Sequence, residues 1–471
     1  MLAKKIAYNT LLSAASRVLS TALALVAVGL ITRYLGQGGF GNYSTVLAFL
    51  YIFSVLADLG LYSIAVRDVS RDGAEEKEII SQAFSLRFWA GFFIFAAAPL
   101  IALLFPYSSE TKAGIALASA GYWFLSNAQV LMAIFQKHLK MDRVALAELG
   151  GRVAQLLLLA FFIWQKAGFL SIVIAFSVSS FVNFILVWLF ARRQVDFKLI
   201  WDHRAWKKTL AESFPLAISA ILVMIYFKLD TVMLSLMKEA GDVGIYSVAY
   251  KVLESLIFFP SMFVGLVMPL LSKYAWTQEI KFKLVSQRAF DILMIFVVPL
   301  VVGTFFLSDG IISLIAGQGF SQSEGVLKIL ILATGFIFFG ALFSNIIIAL
   351  GKQKALAKIY SLGAVINVSV NIIFIPRFSY WAAAFSTLLT EALVTVFMVI
   401  FVFKTARYFP QLNIFLKSLA ASAVMALILW SLSGFGLILP ALAGFILYLL
   451  SIFVFRGISF SEIKALFRRE I

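Results

Sequence analysis

Cysteine is absent from the 471 residues, histidine occurs only as His138 and His203, and no more than 13% of the chain is charged. Without thiols there is no disulfide, no thiolate metal site and no cysteine nucleophile. Two histidines in polar stretches, outside any His-x-x-x-His helix pattern, leave no zinc site to build. No glycine-rich loop ends in Lys-Ser or Lys-Thr, so the chain lacks the phosphate cradle of a nucleotide hydrolase. Gly36-x-Gly38-x-x-Gly41 spells a dinucleotide fingerprint, but no strand precedes it, and its glycines read as a tight interhelical turn. No polar stretch is long enough for a separate soluble domain. An enzyme reading has only scattered carboxylates to rest on, and no cofactor is expected beyond a coupling H⁺ or Na⁺.

What fills the chain is apolar: 62% hydrophobic residues, 48 of them Phe, and a mean hydropathy of +0.99. Soluble chains are closer to half apolar and a quarter charged. A spanning helix uses roughly 20 apolar residues. Hydropathy places spans at 6–32, 41–64, 82–104, 113–135, 145–165, 168–190, 210–236, 243–272, 286–307, 326–349, 356–375, 379–403, 415–434 and 436–455, about 14 in all. The expected class is an all-α polytopic membrane protein. The N-terminal apolar run is too long for a cleaved leader and reads as a retained first helix.

The net charge of +16 is positional. Basic residues crowd alternate connections, among them Lys4 and Lys5, Arg192 and Arg193, Lys207 and Lys208, and Arg468 and Arg469, while the intervening connections hold few. That is the positive-inside pattern, and it puts both termini in the cytoplasm, with the lipid bilayer rather than nucleic acid as partner.

An internal repeat organises the chain. Gly38-x-x-Gly41-x-Tyr43-Ser44 enters span two, and Gly241-x-x-Gly244-x-Tyr246-Ser247 enters span eight. Six intervening spans make the repeats parallel, and transporters with that symmetry hold substrate between their halves. The expected domains are a six-helix lobe at 1–190, a cytoplasmic linker at 191–209 rich in Trp, Arg and Lys that suits an amphipathic surface segment, a second six-helix lobe at 210–405, and an appended helix pair with a basic tail at 406–471.

Ionisable residues inside spans are costly unless they face protein or water, so they carry the functional signal. Arg87, Glu148, Glu212 and Asp291 lie near the cytoplasmic ends, where long side chains reach the interface. Glu148 and Arg152 stand four apart, the spacing of a helical ion pair, and Lys251 and Glu254 three apart. Arg17 sits more than two turns deep with no carboxylate at helical spacing on its own span. Lys228 and Asp230 are two apart and point in different directions. Arg17, Lys228 and Lys251 together would line a cationic chamber suited to a pyrophosphate. Asp58, Asp230, Glu254 and Glu391 are the candidates for proton or sodium coupling.

Thr32-Arg33-Tyr34-Leu35-Gly36, Gly41-Asn42-Tyr43, Leu56-Ala57-Asp58-Leu59-Gly60-Leu61, Ala65-Val66-Arg67-Asp68, Phe214-Pro215-Leu216 and Gly244-Ile245-Tyr246-Ser247 resemble the polysaccharide transport family of the multidrug/oligosaccharidyl-lipid/polysaccharide exporter superfamily. The resemblance implies two six-helix lobes working by alternating access, and movement of a polyprenyl-pyrophosphate-linked oligosaccharide from the cytoplasmic to the outer leaflet of the plasma membrane. It implies arginines in a central cavity, carried here to Arg17 and to the lysines Lys228 and Lys251, and a polysaccharide polymerase or glycosyltransferases as working partners. The alternatives are a multidrug or small-molecule cation antiporter of the same superfamily, and a membrane scaffold or embedded glycosyltransferase.

Overall fold

The computed structural model describes residues 2–71 and 73–457, without the side chains of 2–14, 214–220 and 222–227. Lys4, Lys5 and the Phe214-Pro215-Leu216 side chains lie outside that description, as does the tail from 458 with Arg468 and Arg469.

The chain folds into helices α1 (Leu2–Asp58), α2 (Leu61–Val69), α3 (Glu76–Ala102), α4 (Ser109–Lys137), α5 (Met141–Trp164), α6 (Phe169–Arg192), α7 (His203–Met237), α8 (Ala240–Leu256), α9 (Phe258–Tyr274), α10 (Glu279–Phe306), α11 (Ser308–Ala316), α12 (Ser323–Ala349), α13 (Gln353–Ala406), α14 (Asn413–Ser431) and α15 (Ile438–Val454). Nine stretches among the described residues are long and apolar enough to cross a membrane. Two of them are double. In α1 the backbone turns at Gly36 (φ 65, ψ −171), between the first two sequence spans. In α13 it turns at Ser379 (φ 49, ψ −130), the residue that opens span twelve. The first bend uses the residue type that tolerates positive φ; the second holds a serine there.

The α4 helix, covering span four, is not among the nine. Its polarity has a structural reason. It is enclosed by α1, α3 and α6, and Ser119, Ser126 and Asn127 are buried. A helix surrounded by protein need not be as apolar as one facing lipid.

Two compact units divide the chain, Met1–Ser247 and Val248–Ile471. In the first, one core gathers Ala65 and Val69 of α2, Ile80 and Phe84 of α3, Leu131 and Phe135 of α4, Val144 and Ala147 of α5, and Val187 of α6, closed by Val195 and Phe197 of the linker. Small residues let α5 and α6 approach: Gly151 faces the Ser179 carbonyl and Asn183. Large apolar side chains such as Phe93, Leu100 and Leu157 stay exposed on the outside, as lipid contact requires.

In the second unit the C-terminal pair docks on α10. Tyr448 donates to the Ile295 carbonyl (2.7 Å) and pairs with Ser418 (2.9 Å), while Met425, Leu429 and Ile452 pack with Val302 and Leu307.

The linker is a strap. The amides of Lys198 and Ile200 donate to the Ser81 and Ser85 hydroxyls (3.0 and 2.8 Å) on successive turns of α3. Trp201 meets Trp89 and Trp206 edge to face (centroids 5.5 and 4.9 Å).

Candidate functional site: a polar stripe between α1, α5 and α7

The two glycine motifs meet. A Cβ added to Gly41 would fall inside the contact radius of the Ala240 carbonyl oxygen and 3.0 Å from the Gly244 amide nitrogen. A Cβ on Gly244 would fall on the Gln37 carbonyl oxygen and 3.3 Å from the Gly41 nitrogen. The repeat seen in sequence is therefore a backbone-to-backbone crossing within the first unit, where only glycine fits. The formal dinucleotide fingerprint is part of this crossing.

Polar groups face α1 from both α5 and α7. Glu148, Arg152 and Gln155 recur at helical spacing on one face of α5, which packs against α1. One Glu148 oxygen, Oε1, accepts from Ser20 (2.6 Å) and faces the Arg17 guanidinium at 3.7 Å. The helical spacing predicts an Arg152–Glu148 pair, but Glu148 instead takes its partners from α1. Arg17, without a carboxylate on its own span, finds one on α5. A tertiary contact overrides the local one because α1 and α5 lie side by side. Arg152 donates to Gln155 (3.3 Å), and Gln155 shares a hydrogen bond with the buried Tyr43. Among the described residues no carboxylate lies within ion-pair distance of Arg152.

The Lys228 ammonium lies over the Tyr51 ring, 5.7 Å from its centroid, a favourable seat for a half-buried cation. Buried Asp230 accepts from the Tyr246 hydroxyl (3.3 Å).

The remaining candidates are distributed elsewhere. Asp58 closes an ion pair with Arg87 at 2.8 Å. The expectation that Arg87 reaches the cytoplasmic interface is corrected: its side chain is 1% exposed. It donates also to the carbonyls of Ala57 (2.6 Å) and Ser126 (3.2 Å) and to Gln129 (3.1 Å). With that many acceptors inside the bundle the guanidinium needs no water. It clamps α3 and α4 onto the end of α1, beside the break formed by Leu59 (φ 43) and Gly60 (φ 77). Glu212 pairs with Arg67 (2.6 Å), and Asp291 accepts from Gln287 (2.8 Å). In the second unit Lys251 and Glu254 form the ion pair their spacing suggests, at 2.7 Å, and Glu391 is buried in α13. Among the described residues no three His, Asp or Glu side chains cluster as metal ligands. Arg152 escaped the sequence reading because its apparent partner lay on its own helix; only the packing of α1 on α5 separates the two.

The sequence profile described as polysaccharide biosynthesis protein matches residues 6–275, more than half of the chain, and the MatE profile matches residues 215–373. A relative from Shigella dysenteriae named "Putative O-antigen transporter" is 21% identical over 78% of this chain and 92% of its own length. An uncharacterized membrane protein of Methanocaldococcus jannaschii is 23% identical over 56% of this chain and 65% of its own. "Probable flippase AglR" of Haloferax volcanii is 21% identical over 45% of each chain. The chain thus spans just under two thirds of one of these relatives and less than half of another. Among solved structures, the lipid II flippase MurJ in an inward closed conformation superposes with a TM-score of 0.76 at 18% identity, covering 98% of this chain and 99% of that one. A multidrug resistance MATE family transporter in an inward-facing conformation gives 0.69 at 13% identity, over 84% and 98%. The fold is that of MurJ and MATE transporters. The relatives with a named activity are transporters and flippases, not enzymes. With its apolar helices and this profile match, the chain is a multi-pass plasma-membrane protein and belongs to the polysaccharide biosynthesis protein family, the polysaccharide transport branch of the multidrug/oligosaccharidyl-lipid/polysaccharide exporter superfamily.

Proposed function

We propose that this protein is a flippase that carries a polyprenyl-pyrophosphate-linked oligosaccharide from the cytoplasmic to the outer leaflet by alternating access. The observation that carries the reading is the set of cations that α1, α5 and α7 carry where α5 and α7 pack on α1. Arg17 faces the Glu148 carboxylate, Arg152 is tied to the neutral amide of Gln155, and Lys228 adds a third cation seated over the Tyr51 ring. Guanidinium and ammonium groups suit a phosphate anion better than a cationic drug. The names of the O-antigen transporter and flippase relatives point the same way.

In this account about 14 spans form two six-helix lobes, 1–190 and 210–405, joined by the linker 191–209 and followed by the pair within 406–471, with both termini cytoplasmic. Arg17, Lys228 and Lys251 are the substrate-binding set, joined by Arg152. Asp58, Asp230, Glu254 and Glu391 are the coupling candidates. Asp58 and Glu254 begin from ion pairs with Arg87 and Lys251, so protonation or sodium binding there would have to break a pair. The Gly41–Gly244 crossing, just past the bend at Gly36 and the α7–α8 break, would close the outer end. A polymerase or glycosyltransferases would consume or supply the cargo.

A multidrug cation antiporter is the second reading, favoured by the MatE profile over residues 215–373. Competition separates the two: binding of farnesyl pyrophosphate to detergent-purified protein, resisted by cationic dyes, supports the flippase; dye binding indifferent to the pyrophosphate contradicts it.

A further inference from the structure

Glu148 stands where a substrate anion would have to arrive. Its Oε1 is held by Ser20 at 2.6 Å and lies 3.7 Å from Arg17 Nη1, near the outer limit of an ion pair. Arg17 keeps 56% of its side-chain surface exposed, and Glu148 31%. The pair is loose on the arginine side and tight on the serine side, so Arg17 can leave without disturbing the carboxylate's seat. One helical turn along α5, Arg152 donates to the neutral amide of Gln155.

We propose that Glu148 is a resident counter-anion: it occupies Arg17 in the empty carrier and yields it to the pyrophosphate, so that Arg17 and Arg152 grip the substrate together. The inference rests on the flippase reading and deepens it by naming the residue that sets substrate affinity. A carboxylate in this position weakens binding, and that weakening is useful, because a carrier that binds its cargo too tightly cannot release it. Two cations beside one fixed anion hold a net single positive charge when empty, which limits the cost of an unliganded cationic pocket in a low dielectric. Arrival of the pyrophosphate frees Glu148 to stay with Ser20 alone. Glu148 is a positioning residue here: it touches Arg17 and never the substrate.

The test is farnesyl pyrophosphate binding to the full-length protein in detergent, comparing wild type with Glu148→Gln, Arg17→Gln, Arg152→Gln and the double variant Glu148→Gln/Arg17→Gln. Glutamine keeps an acceptor for Ser20, so the α1–α5 contact survives, and a thermal melt verifies it. We expect Glu148→Gln to bind about fivefold more tightly while flipping more slowly at saturating substrate, Arg17→Gln and Arg152→Gln to bind more weakly, and the double variant to show no gain over Arg17→Gln. Weaker binding by both arginine variants with unchanged or weaker binding by Glu148→Gln overturns the counter-anion role and leaves the flippase reading standing. A gain in Glu148→Gln that persists without Arg17 also overturns it. Indifference of binding to all four substitutions removes the pyrophosphate reading itself, and the inference with it. If Glu148→Gln melts early, Ser20→Ala is the second probe. It loosens the carboxylate's seat without removing its charge, and weaker binding there supports the proposal, whereas tighter binding contradicts it.

Discussion

Gly41 and Gly244, the second glycines of two copies of one seven-residue motif, are pressed together so closely that each would drive a Cβ into the backbone of the other's helix turn. The first glycines, Gly38 and Gly241, are under no such constraint: a Cβ on Gly38 has nothing within 4 Å, and one on Gly241 meets only the Gln37 Oε1 at 3.9 Å. Equivalent letters in the motif therefore carry unequal roles. Alanine at Gly41 or Gly244 should lower the unfolding temperature and abolish transport, the overpacking costing about 1–3 kcal/mol or more. Alanine at Gly38 should leave both near wild type. Thermal melts of the four single variants in detergent check this, and equal tolerance at all four positions would contradict the crossing.

If the crossing closes the outer end, it must open in each cycle. The chain has no native cysteine, so paired thiols report cleanly. Gln37→Cys with Gly241→Cys, bridged by a short bis-methanethiosulfonate, should stop transport, and reductant should restore it. Full transport by the bridged protein would exclude opening at this point.

Arg87 and Asp58 form a 2.8 Å ion pair in which the arginine side chain is buried. Arg87→Met strands a carboxylate and two carbonyl acceptors and should destabilise by about 3–5 kcal/mol. Asp58→Asn keeps an acceptor for the guanidinium and should cost less. Denaturant or thermal unfolding gives the order; a larger loss in Asp58→Asn than in Arg87→Met would contradict the clamp.

The linker strap is held by Ser81 and Ser85, and by Asp196 on Lys77 at 3.2 Å. The hydrogen bond and charge of the Lys77 ammonium hold the Asp196 carboxyl below its ordinary range, assisted by Lys198 and Arg192. Because the folded value is the lower one, this anchor is fully present above the ordinary aspartate range and is lost as pH falls through the folded value. Tryptic cleavage at Lys198 should be slow and unchanged from pH 8 to about pH 5. It should rise about fivefold or more in Ser81→Ala/Ser85→Ala, each hydrogen bond contributing about 1 kcal/mol. Cleavage indifferent to the double substitution would detach the strap from α3.

Much of the architecture was legible in the sequence because lipid imposes a simple rule on composition. Spans one and two appear as the two halves of α1, with the bend at Gly36 where the glycine motif begins. What was not legible arises between elements. Glu148 and Arg152 have the spacing of a helical pair, and no local rule says that Ser20 and Arg17, well over a hundred residues away, will claim the carboxylate. Arg87 lies at the depth of an interfacial residue, yet acceptors from α1 and α4 bury it. The repeated glycines declared a symmetry, but not that its two copies would touch.

The most direct measurement is flipping of a fluorescent polyprenyl-pyrophosphate oligosaccharide in proteoliposomes by wild type, Arg17→Ala and Lys228→Ala. The account predicts transport by wild type and about tenfold slower transport or complete loss in each variant at normal folding. Full transport by well-folded Arg17→Ala, or no lipid transport by wild type with movement of cationic dyes in its place, would contradict it.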